Sequence, residues 1–148
     1  MLTVTLKSIF VRDLKKLRQE IDTYKTEKNI WRIDKGITNS AGNLCLHIIG
    51  NLNWFIGAQL GNTGYIRHRD LEFSSTNVSK DDLLMEIDKT SSMLENTLDK
   101  ITASQLELDY PILVFQQKST TQYFLVHLTT HLAYHLGQIN YHRRLLDE

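Results

Sequence analysis

The stretch His127-Leu128-Thr129-Thr130-His131-Leu132-Ala133-Tyr134-His135-Leu136-Gly137-Gln138 carries three histidines at four-residue spacing. In a helix, four residues advance a little more than one turn, so the three imidazoles fall along one stripe. Phe124 and Leu128 share that stripe, which therefore faces a core. Two imidazoles so spaced can converge on one transition-metal ion, and a third ligand must then come from another element. The pairs His127/His131 and His131/His135 satisfy the spacing equally well. His142 lies seven residues past His135, about two turns away, too far to share its ion.

Outward from this stretch, the helix is expected to run from about Thr120 to Leu146, the longest in the chain. Three more amphipathic segments precede it. From about Leu2 to Tyr24, Leu6, Phe10, Leu14, Leu17 and Ile21 recur at three- and four-residue spacing, with Lys7, Arg12, Lys15, Lys16, Arg18 and Glu20 mostly on the other face. From about Ala41 to Leu60, Leu44, His47, Ile48, Asn51, Leu52 and Phe55 share one broad face, and the Ser40 hydroxyl can accept from a free backbone N–H as N-cap. From about 80 to 102, Leu83, Leu84, Ile87, Met93, Leu94, Leu98 and Ile101 form an apolar stripe, opened by Asp81 and Asp82 at the positive end of the helix dipole.

The connections read as polar. Trp31 and Ile33, in the segment from Asn29 to Asn39, are expected to tuck against the helices. Gly61 to Asn77 is expected to be a long loop, of a length that usually serves function or makes a crossover. Pro111 marks non-helical backbone, with Ile112 to Gln116 a short extended stretch. Four amphipathic helices in one domain spanning 1–148 predict an all-α four-helix bundle.

Composition narrows the function classes. Lys+Arg and Asp+Glu both number 17, so no net charge draws the chain to nucleic acid or anionic membrane. Cys45 is the sole cysteine, which fits a reducing compartment. No signal-peptide pattern opens the sequence, and no apolar run approaches the roughly 20 residues of a membrane span. A cytoplasmic protein is expected.

His47 is the best third ligand, because it lies on an inward helical face and bundle metal sites are built from facing helices. Three imidazoles would leave positions open for water or substrate, as catalytic sites do. Other metal architectures fit less well. Position 132 is Leu, not the Glu of a His-Glu-x-x-His protease, and the paired Glu-x-x-His motifs of a di-iron site are missing. The competing reading is that these histidines are satisfied core or surface residues.

These residues carry a resemblance to the DinB/YfiT-like superfamily, DNA-damage-inducible bacterial four-helix bundles regarded as metalloenzymes. Its members have one histidine in helix 2 and a His-x-x-x-His pair in helix 4 followed shortly by Gly-Gln. Gly137-Gln138 follows His135 here, and Ser40-Ala41-Gly42-Asn43-Leu44-Cys45-Leu46-His47-Ile48 resembles the approach to the first ligand. Gly64-Tyr65-Ile66-Arg67-His68-Arg69-Asp70-Leu71-Glu72-Phe73 is similar to the loop of one subfamily. The resemblance implies an up-down-down-up bundle with a long crossover between helices 2 and 3. It implies one divalent metal ion, zinc or nickel, on His47, His131 and His135, and a homodimer. It does not imply one reaction: its relatives include thiol-dependent S-transferases that use low-molecular-weight thiols, a thiol-dependent isomerase and many members without a known activity.

A divalent ion on neutral imidazoles would lower the pKa of water or a thiol. The expected function is therefore a metal-dependent hydrolase or thiol S-transferase acting on a small electrophile. The alternative is a non-catalytic dimeric bundle serving as a binding or stress-response module. Asn51 and Gln138, one turn from the ligands, are expected to orient them or a bound water. His68, Asp70 and Glu72 could reach the mouth of the site, although such a loop is more often solvated or a dimer contact. Trp54 and Tyr134 are candidates to line the cavity, core packing being the ordinary role of aromatics at helical spacing. Cys45 lies about 200° around the helix from His47 and reads as a small packed residue.

Overall fold

A computed structural model describes residues 2–34 and 36–148. The chain is all-helical. Its long helices are α1 (Leu2–Asp22), α2 (Ala41–Leu52), α4 (Lys80–Leu98) and α6 (Thr121–Leu146), with short helices α3 (Arg69–Ser74) and α5 (Ala103–Glu107) between them. A 3-10 turn, Glu27–Trp31, follows α1. Among the described residues the extended pairing is one isolated bridge, Asp109 with Thr120.

Capping chemistry sets the starts of α2, α4, α5 and α6. The side chains of Ser40, Ser79 and Thr120 accept from the backbone N–H of Asn43, Asp82 and Tyr123, each satisfying one otherwise free donor. Thr102 and Gln105 form a reciprocal capping box at α5. α2 continues into a π-helical stretch, Asn53–Ala58, and one last α turn, Gln59–Gly61, where the wider winding departs from the expected uninterrupted α-helix. Asn62 then ends the helix in the left-handed region at φ 49°.

Cross-helix contacts fix direction. Lys7 pairs with Asp99 and Arg18 with Asp88, so α1 and α4 run antiparallel. Glu20 meets Asn140 and Arg143, while Arg12 and Asp13 border a groove with Ala133 and Gly137, so α1 and α6 run parallel. Asn53 donates to Thr90 and Gly61 abuts Thr97, which aligns α2 with α4. Phe55 packs on Phe124 and His47 on His135, which opposes α2 to α6. The core lies between these helices, with Phe10, Leu17, Ile21, Ile48, Leu52, Leu83, Phe124 and Leu132 among its buried side chains. At about 25 cal/mol per Å² of apolar surface, such burial is the main stabilising term.

Three connections differ from expectation. The segment 61–77 is not all loop: Arg69–Ser74 forms α3, which packs on α2. Residues 112–116 contain no strand, and α5 precedes them. Trp31 does tuck in, against Gly42, but Ile33 is 60 % exposed, because the chain leaves the 3-10 turn in extended backbone at Arg32.

Candidate metal centre

His47, on α2, and His131 and His135, on α6, converge. Their candidate ligand nitrogens all lie within 4.8 Å of one another. His131 Nε2 is 3.2 Å from His47 Nε2 and 3.2 Å from His135 Nε2. Two imidazoles bound to one ion at about 2.0–2.1 Å would hold their nitrogens about 3 Å apart, so the spacing fits a shared ion.

The other ring nitrogens decide what these three atoms present. His47 Nδ1 lies 2.8 Å from Glu72 Oε2. A carboxylate only accepts, so Nδ1 carries the hydrogen and Nε2 keeps a lone pair. His135 Nδ1 is 2.7 Å from Gln138 Oε1, another acceptor, which again leaves a lone pair on Nε2. His131 Nε2 thus faces two lone pairs and can donate a hydrogen to only one of them. Hydrogen bonding alone leaves at least one of the two contacts without a proton. A cation at the centre would satisfy all three nitrogens.

Burial supports neutral rings. The His131 ring is pushed down to about 3, first by burial and then by the neighbouring His135 and His47. Burial also lowers His135, against a smaller opposing effect of its bond to Gln138. Imidazole must be neutral to bind a metal, so His131 and His135 are poised in the ligating form at neutral pH.

Glu72 is buried, and its carboxylate is also held by Arg67 through Nε to Oε1 at 2.7 Å and a terminal nitrogen to Oε2 at 2.9 Å. Burial raises its pKa, but the bonds from His47 and Arg67 outweigh that and leave it below the usual carboxylate range. Phe73, next on α3, packs its ring 4.9 Å from that of His47.

Other expected residues fall as follows. Gln138 meets His135, whereas no hydrogen bond joins Asn51 to the histidines, and its buried Oδ1 has no partner. His127 stays on the stripe but stacks on Phe124 and meets Phe115 edge to face, with its ring 6.4 Å from that of His131. His142 is a buried structural residue bonded to the Tyr24 hydroxyl and the Arg32 carbonyl. Of the loop candidates, Glu72 reaches the site while His68 and Asp70 are exposed. Tyr134 points outward, 66 % exposed, with its ring edge against His135. Trp54 is half-buried. Cys45 is fully buried, which pushes its thiol up to about 12 and leaves it inert as a nucleophile at neutral pH.

Comparison with known proteins follows this geometry. Residues 4–148 match the family described as "Protein of unknown function (DUF1572)". The chain belongs to that family. Its fold is similar to that of a conserved protein from Enterococcus faecalis, with a TM-score of 0.77 and 17 % identity over 97 % of this chain and 96 % of that one. No curated protein matches.

Proposed function

We propose that His47, His131 and His135 hold one divalent metal ion, zinc or nickel, and that this DUF1572 chain is a DinB/YfiT-like metalloenzyme. The observation that carries this reading is the convergence of three ring nitrogens within 4.8 Å of one another, with His131 Nε2 at 3.2 Å from the Nε2 of both His47 and His135, whose own hydrogens are committed elsewhere. The helix directions support an up-down-down-up four-helix bundle in one domain, 1–148, with 62–79 as the crossover.

A divalent ion held there lowers the pKa of water or a thiol and so supplies a nucleophile near neutral pH. The protein's own groups favour the thiol. The carboxylate nearest the ligands, that of Glu72, is already engaged by Arg67 and His47. It is therefore not free to act as a general base or to protonate a leaving group. Hydrolysis needs such a group more than thiol transfer does, because a thiolate attacks an electrophile without further base. The reading is thus a thiol-dependent S-transferase acting on a small electrophile with a low-molecular-weight thiol as cosubstrate, and a hydrolase is the nearest variant. Bacterial cytoplasm and a role in stress response belong to the same reading. So does a homodimer, supported by Tyr123, Val126, Tyr134, Tyr141 and Leu145, which recur on one outward face of α6.

Turnover tests it. Zinc- or nickel-loaded protein should conjugate a thiol to a small electrophile such as a haloarene, and chelated protein should not. Metal-dependent ester hydrolysis without thiol transfer would move the reading to a hydrolase. Equal inactivity of loaded and chelated protein across both assays would favour the second reading, a non-catalytic dimeric binding module. The engagement of Glu72 fits that alternative equally, since a binding module needs no free acid or base.

A further inference from the structure

Two of the three converging histidines are aimed by a hydrogen bond to their outer nitrogen, and the two partners differ in origin. Gln138 is local, one turn from His135 on the same helix. Glu72 comes from α3 in the crossover, 25 residues from His47 in the chain. Arg67 grips its carboxylate at both oxygens, and Asn43 on α2 donates to the carbonyls of Glu72 and Ser75 at 3.0 and 2.8 Å. Side chain and backbone of residue 72 are therefore both fastened.

The carboxylate fits because residue 50 is glycine. A Cβ there would stand 2.0 Å from Glu72 Oε1 and 2.7 Å from its Cδ. Gly50 sits inside α2, where glycine costs about 1 kcal/mol relative to alanine. Close approach of Glu72 accounts for it. A buried ion pair is also weak in net stability, because desolvation offsets its attraction. Stability alone thus gives little reason for placing Glu72 and Arg67 here.

We propose that Glu72 is a positioning residue for His47, fixing the tautomer that offers Nε2 to the metal, and that Gly50 and Arg67 exist to seat it. This rests on the reading of the three histidines as ligands. A carboxylate behind a ligating imidazole locks ring orientation and raises ligand basicity, and loss of such a partner typically weakens metal affinity 10–100-fold. Docking of the crossover and strength of metal binding are then linked.

Two readouts test this. In metal-free protein, long-range ¹H–¹⁵N correlation spectra should report His47 as the Nδ1–H tautomer. Glu72→Ala and Gly50→Ala should each move it to a mixture of tautomers, with Glu72→Gln retaining more of the wild-type signal. Zinc competition against a chromophoric chelator should give affinity losses of about 10–100-fold for both single variants. The double variant should be no weaker than Glu72→Ala alone, because the added methyl then has nothing to displace. An unchanged tautomer, with affinities within twofold of wild type in folded Gly50→Ala and Glu72→Ala, would overturn the proposal. If wild-type protein binds no zinc, the ligand reading fails, and the tautomer arm still decides whether Glu72 sets His47.

Discussion

His131 is the residue on which the site turns, since its Nε2 touches both other imidazoles. Its depressed pKa has a consequence for stability. The ring takes up a proton in the unfolded chain near 6.5 but in the folded chain only near 3. Between those values the unfolded state binds more protons, so metal-free protein should lose stability as pH falls through that window and keep all of it above 6.5. Denaturant unfolding from pH 7 to pH 4 checks this. Wild type should weaken more steeply than His131→Gln, and parallel profiles would refute the account. A second residue, Tyr24, donates its hydroxyl hydrogen to His142 Nδ1 at 2.7 Å inside the core, because His142 Nε2 carries the ring hydrogen given to the Arg32 carbonyl. Tyr24→Phe leaves that nitrogen unpaired and should cost about 1–3 kcal/mol in chemical denaturation. A change under 0.5 kcal/mol would mean that water replaces the hydroxyl.

At the scale of elements, what was legible in the sequence depended on periodicity. α1, α4 and α6 lie within a few residues of their expected bounds because apolar spacing marks all three and a Ser or Thr cap marks the starts of α4 and α6. α3 and α5 were not legible. Helices of six and five residues are too short to carry a stripe, and tertiary contact rather than propensity holds them. The histidines were readable because four-residue spacing is a local signal. Glu72 was not singled out from its loop neighbours His68 and Asp70, because its meeting with His47 spans 25 residues. One sequence signal could have separated them: Gly50, in the middle of an apolar helix, implies close approach of another group. Gly42 carries the same signal for Trp31, whose ring would lie 2.6 Å from an added Cβ. Gly42→Ala should therefore pry the 3-10 turn from α2, shift tryptophan fluorescence, and cost about 1–3 kcal/mol. Unaltered emission and stability would show that the turn docks by other contacts.

At the scale of the whole molecule, α2 and α6 arise far apart in sequence and meet antiparallel, which brings one histidine from α2 to two from α6. The fold thereby brings together three imidazoles from two helices. No helix among the described residues is long and apolar enough to cross a membrane. Metal bound only by the folded chain should stabilise it by mass action, about 2.7 kcal/mol at a free concentration 100 times Kd. Thermal unfolding with and without zinc should register this as a rise in Tm that His47→Ala abolishes. An equal rise in the variant would mean that zinc binds elsewhere. The most direct test of the central claim is elemental analysis of protein purified without affinity tag or chelator, alongside His131→Ala. The account requires close to one divalent ion per chain in the wild type and loss of that ion in the variant. Wild-type protein that stays metal-free after incubation with zinc and with nickel would contradict it, and the three histidines would then be packing residues.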